Sequence, residues 1–122
     1  MAIPRVSPAD IKTRVDAGES ITFVDARLKY PFEHSSLSVP QALRVAPPAF
    51  DVSAIPTAGD LVVYDSDPAE VVAEDVAAQL AARGARVAVL SGGLNGWIAA
   101  GGATATKPAV GQAAPGADAA KG

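Results

Sequence analysis

A chain of 122 residues, 49% of them apolar, has material for one compact domain and too little for two. Its 13 acids against 10 Lys and Arg give a net charge of −3, with no basic run interleaved with aromatics, which argues against a nucleic-acid-binding surface. Cysteine is absent and histidine occurs once, so disulfides, thiolate metal sites, iron–sulfur clusters, cysteine nucleophiles and multi-histidine zinc centres are excluded by count.

Taken in chain order, Met1 to Ser7 does not read as a signal peptide. No apolar run approaches the length of a membrane span, so no membrane contact is expected and the expected setting is cytoplasmic. Ser7-Pro8-Ala9-Asp10 is a helix start: Ser7 caps, Pro8 suits the first helical position, and Asp10 complements the helix dipole. Ile11 and Val15 share a face of this helix, and Gly18 ends it. Ile21-Thr22-Phe23-Val24-Asp25 follows as a buried strand. Leu28 to Ala49, broken by Pro31, Pro40, Pro47 and Pro48, reads as irregular, and Phe50 to Ile55 as room for a short helical turn.

Leu61-Val62-Val63-Tyr64 is continuously apolar, as a central parallel strand covered on both faces should be. Asp67-Pro68-Ala69-Glu70 opens a second helix that runs to about Arg83 and stops at Gly84, with Val72, Val76 and Leu80 on its buried face. Arg86 to Leu90 is a further strand. Gly92-Gly93 permits a tight turn into a last short helix that carries Trp97 as a core residue and ends near Gly101. From Thr104 onward Ala, Gly, Pro and Lys dominate, so the expectation is a domain over residues 1–103 and a disordered tail or linker over 104–122.

This alternation of strand and helix predicts a mostly parallel α/β sheet with helices on both faces. The functional crevice of such a sheet lies beyond the carboxyl ends of its strands, where the loops after Val24 and Tyr64 open. The second of these loops, Asp65-Ser66-Asp67-Pro68-Ala69-Glu70, holds three acids and no base. Asp67 and Glu70 read as a capping box at a helix start. Asp65 has no such local role; it either accepts backbone N–H groups of its own loop or contacts a partner or cation. Asp25 and Arg27 read as structural links beneath the loop, with ligand binding as the alternative for Arg27. His34 reads as an exposed or lightly packed loop residue.

Three segments in order resemble the rhodanese family: Val24-Asp25-Ala26-Arg27, Val62-Val63-Tyr64, and Gly92-Gly93-Leu94-Asn95-Gly96-Trp97 with its trailing Ala100-Gly101. The resemblance spans roughly Ile3 to Ala103 and implies a three-layer α/β/α domain around a sheet of about five strands. It also implies degeneracy. The family's sulfur-carrying cysteine falls on Asp65, and an arginine five residues beyond it on Glu70. The family's Glu-Tyr-x-x-Gly-His-Ile-Pro-Gly-Ala stretch is met in part: Glu33 falls on its Glu, His34 on the Tyr, Ser38 on the His, and Val39-Pro40-Gln41-Ala42 on its end. The expected function is a non-catalytic module that binds another protein and needs no cofactor. Two alternatives use the acidic loop: a magnesium-dependent phosphohydrolase built on Asp65-x-Asp67, or a small cation or ligand site formed by Asp65, Asp67 and Glu70.

Overall fold

The structure, a computed structural model, describes residues 3–47, 52–66 and 69–106. Five strands form one parallel sheet: β1 (Arg5–Val6), β2 (Ile21–Asp25), β4 (Leu43–Arg44), β5 (Asp60–Tyr64) and β6 (Arg86–Leu90). Their spatial order is β1-β6-β5-β2-β4. Central β5 pairs with β2 from Ile21–Asp60 to Asp25–Tyr64 and with β6 from Asp60–Arg86 to Val63–Val89. Among the described residues four α-helices complete the layers: α1 (Pro8–Asp16), α2 (Lys29–His34), α3 (Val71–Ala81) and α4 (Gly93–Ala99).

The pleat sends alternate residues to opposite faces of the sheet and so makes two cores. Val24, Leu61, Val63 and Val89 pack with Ala73, Val76, Ala77 and Leu80 of α3. Phe23, Val62, Tyr64 and Leu90 pack with Ile11 of α1 and with Leu94 and Trp97 of α4. Residues 61–64 are therefore buried on both sides, which is why their run is apolar without interruption. Trp97 meets Phe23 with ring centroids 5.1 Å apart, and its indole N–H donates to the Ala103 carbonyl at 2.8 Å.

The start of α1 forms as its residues dictate, with the Asp10 N–H donating to Ser7 Oγ at 3.1 Å. Its face is narrower than the spacing suggests, because Ile11 is buried while Val15 is exposed. Elsewhere non-local pairing overrides the local pattern. The segment that reads as irregular between Leu28 and Ala49 holds α2, β4 and a two-residue strand, β3 (Leu37–Ser38). Pro31 is compatible with α2 because it sits in the first turn, where N–H groups have no helical acceptor. A single 3-10 turn covers Val52–Ala54, within the stretch with room for one; Phe50 lies outside the described residues.

Two expectations are corrected. Helix α3 begins at Val71 rather than at Asp67-Pro68, because Glu70 precedes it with φ +61°. Residues 67 and 68 lie outside the described residues. Ordered pairing also passes the boundary at residue 103: β7 (Ala105–Thr106) runs antiparallel to β3. Residues 107–122 of the expected tail lie outside the described residues.

At the amino-terminal end of the sheet, Asp60 accepts from Arg14 at 2.6 Å and from Arg86 at 2.9 Å. The Arg14 hydrogen bond, ahead of all other causes, holds the Asp60 carboxyl below its ordinary 3.8. A depressed folded value stabilises above the unfolded pKa and is lost as pH falls through the folded one. The expected outcome is that Asp60→Asn lowers the thermal midpoint modestly at pH 7. The gap should close as pH falls below about 4 and shrink in high salt, as followed by circular dichroism.

Candidate functional site

Strand β5 delivers Asp65 to the carboxyl end of the sheet, where the residue is 1% exposed. Its Oδ2 accepts the N–H of Ala73 at 2.7 Å. Ala73 is the third residue of α3, so this N–H is one of the donors that a helix start leaves without an internal acceptor. Asp65 thus caps α3 from eight residues away. Of the two readings open for Asp65, acceptance of backbone N–H is the one this geometry supports.

The backbone of the same residue is held from the other side. The Leu94 N–H of α4 lies 3.4 Å from the Asp65 carbonyl. A Cβ on Gly93 would stand 2.2 Å from that oxygen, and Gly93 has φ +59°, so both space and conformation require glycine there. Gly92, at φ +80°, makes the turn before it.

Glu70 does not close a capping box. Its Oε1 accepts Arg5 Nε at 2.8 Å, and its Oε2 accepts the Gly92 N–H at 2.8 Å. The carboxylate therefore ties β1 to the start of α4, and its partners lie far away in sequence, where a local capping pattern gives no hint of them. The Asp67 half of the capping box lies outside the described residues, as does Pro68. Ser66 and Ala69 are exposed. Asp65 is bonded to α3, and Glu70 to β1 and the start of α4. Among the described residues no group of three His, Asp or Glu side chains is placed to hold a metal ion.

Beneath the loop lies a buried polar cluster built on Asp25 and Arg27. Arg27 is 1% exposed and Asp25 2%. Arg27 Nη2 donates to Asp25 Oδ2 at 2.7 Å and to the Leu37 carbonyl at 3.1 Å, and the Arg27 N–H donates to Asp25 Oδ1 at 3.1 Å. The Tyr64 hydroxyl donates to Asp25 Oδ2 at 3.1 Å and accepts the Val39 N–H at 3.2 Å. Burial, and then the charge of Asp25, push the Tyr64 phenol above its ordinary 10.0. The sequence marks Tyr64 only as apolar strand, and a tyrosine ending such a strand is the signal that a hydroxyl needs a partner there.

The ring centroid of Phe32 lies 5.2 Å from the Arg27 guanidinium and 3.9 Å from that of Arg44. Arg44 Nη1 donates to the carbonyls of Asp25 and Val45. His34 is exposed at the end of α2, stacked on Tyr30 with centroids 5.6 Å apart, while Glu33 beside it is half-buried. Ser38 lies in β3. Gln41 has φ +63°, the conformation glycine favours, at the position where the rhodanese pattern has its glycine, which supports that correspondence. Beside the loop opens a cleft of about 330 Å³ lined by Leu28, Pro31, Asp65, Ser66 and Val72. Arg5, Arg44, Phe32 and Leu28 are site residues that no motif singles out.

Two substitutions test this arrangement. Asp65→Ala strands the Ala73 N–H and should cost about 1–3 kcal/mol by urea unfolding, with Asp65→Asn, which keeps an acceptor oxygen, costing less. Tyr64→Phe removes the acceptor of the Val39 N–H and should cost about 1–3 kcal/mol at pH 7. The raised phenol stabilises below the ordinary tyrosine pKa of about 10 and that contribution is lost as pH rises further, so the gap between wild type and Tyr64→Phe should narrow in alkali.

No family sequence model matches the chain, and no curated protein matches it. Solved structures do. The rhodanese-like domain from an Anabaena species is similar with a TM-score of 0.65 at 22% identity, over 90% of this chain and 88% of that one. A rhodanese-related protein from Thermoplasma volcanium gives a TM-score of 0.65 at 16% identity, over 84% of this chain and 97% of that one. A thiosulfate sulfurtransferase from Pseudomonas aeruginosa gives 0.67 at 20% identity over 87% of this chain, which spans only 20% of that protein's length. With its five-stranded parallel sheet, flanking helices and loop after β5, the chain has the rhodanese-like α/β fold.

Proposed function

We propose that this chain is a non-catalytic rhodanese-like module that binds another protein. One observation carries the reading: Asp65, the residue on which the resemblance puts the family's cysteine, follows β5 with its carboxylate bonded to the Ala73 N–H of α3. Persulfide chemistry needs a thiolate whose pKa is lowered by a helix amino terminus or nearby positive charge. A carboxylate does not take up sulfur, and the chain's sole sulfur is the thioether of Met1. The helix start that would favour an incoming anion is met by the chain's own anion. A polar framework fully bonded beneath the loop, with an apolar cleft beside it, suits recognition rather than turnover. The same reading places the module in the cytoplasm, with no cofactor and no nucleic-acid partner.

The test is thiocyanate formation from thiosulfate and cyanide by the purified chain. The expected rate is that of the buffer alone, and protein-dependent turnover would end the reading. Asp65→Cys combined with Glu70→Arg supplies the positive arm, a thiol that reacts with thiosulfate. A folded but inert double variant would count against placing Asp65 at the cysteine position.

A further inference from the structure

Helix α4 carries a reactive pair that neither the packing nor the proposed module uses. Asn95, the sole asparagine of the sequence, is exposed on this helix and is followed by Gly96. Asparagine is chemically labile, and most so before glycine, because a residue without a side chain leaves its own backbone nitrogen unhindered for attack on the preceding amide. Gly96 is glycine for a packing reason. A Cβ there would stand 2.9 Å from the Ser91 carbonyl oxygen and 3.2 Å from Pro8 Cγ, where α4 meets the start of α1. The residue that lets the two helices approach is thus also the one that leaves Asn95 open to attack.

The closed helix holds that attack back. The Gly96 N–H donates to the Gly92 carbonyl at 2.9 Å, so the nitrogen is engaged. The Cα–Cβ bond of a helical residue also leans towards the amino terminus, away from the next nitrogen. Yet α4 is only seven residues long, and a helix of that length depends on tertiary contacts. Its large buried side chains are Leu94 and Trp97. Elements held by so few contacts open locally at less cost than the central strands.

We propose that Asn95 is a site of spontaneous deamidation whose rate is set by the opening of α4. Once the helix opens, the Gly96 nitrogen attacks Cγ of Asn95. A bond forms between that nitrogen and Cγ, the bond from Cγ to Nδ2 breaks, and the amide proton leaves with Nδ2 as ammonia. Water then opens the resulting succinimide at either carbonyl. One product is an aspartyl residue, which suits the first turn of a helix. The other is an isoaspartyl residue, whose main chain is one methylene longer. The extra methylene falls between Leu94 and Trp97, which lie three apart and pack in one core. It therefore loosens the helix whose Leu94 N–H meets the Asp65 carbonyl.

The experiment incubates the purified full chain at one pH and temperature, with and without unfolding concentrations of guanidinium chloride. Ion exchange follows the more acidic species, and peptide mapping by mass spectrometry locates the change. Conversion at Asn95 should be about tenfold or more faster in denaturant, since it tracks the open fraction of the helix. Asn95→Gln should abolish the fast acidic species. In native buffer conversion should quicken in Trp97→Phe, which loses the hydrogen bond to the Ala103 carbonyl. It should also quicken in Ala99→Gly, which lowers helix propensity at an exposed position and keeps the test valid should Trp97→Phe unfold. In denaturant the wild type and both of these variants should convert alike. Equal rates with and without denaturant, or folded variants no faster than wild type, would overturn the gating by α4. An Asn95 that stays intact in the unfolded chain would overturn the site itself. The isoaspartyl fraction, isolated by chromatography and refolded, should melt below Asn95→Asp, and equal midpoints would overturn the loosening of the helix.

Discussion

A helix leaves its first N–H groups without internal acceptors, and one that falls on a buried residue must find its acceptor within the chain. In α3 the Ala73 N–H goes to Asp65, and that bond fixes how β5 hands the chain on to the helix. The first turn of α3 buries Ala73 against Val24, Val63 and Val89, so the position of the helix and the packing of one whole face of the sheet follow from the same contact. A charged acceptor makes this cap stronger than a neutral one would, and burial keeps water from competing for it.

A second constraint lies one layer down. Burying Arg27 beside Asp25 carries a desolvation cost that only good geometry and further hydrogen bonds offset. Here both conditions are met: among the described residues no buried side-chain nitrogen or oxygen lacks a partner. The cluster also joins segments distant in sequence, because Asp25, Tyr64, Leu37 and Val39 all meet there. Its effect is to hold the turn ending in Ala42, with Gln41 in its left-handed conformation, against the strand that carries Asp65.

The strands were legible because burial on two faces writes itself as continuous apolar runs, and residues 21–25 and 86–90 have the bounds their composition suggests. The start of α3 was not legible. Asp67-Pro68-Ala69-Glu70 carries a local capping signal, and Glu70 answers to Arg5 and Gly92 instead. Short elements escaped for a related reason. Leu37–Ser38 and Ala105–Thr106 have no pattern of their own and exist as strands only through each other. At the site, Asp65 and the Asp25–Arg27 link were visible as residue types at known positions, while Arg44 and Phe32 entered only through a stack that joins β4 to α2.

The loop after β5 is moored at both ends, by Asp65 to α3 and by Glu70 to β1 and α4, and the carbonyl of Asp65 leaves no room for any residue but glycine at position 93. These moorings are independent, so exchanging one acid leaves the other holding its neighbours. A cysteine at position 65 would leave the Ala73 N–H without its carboxylate acceptor, while Glu70 would still hold Arg5 and the Gly92 N–H.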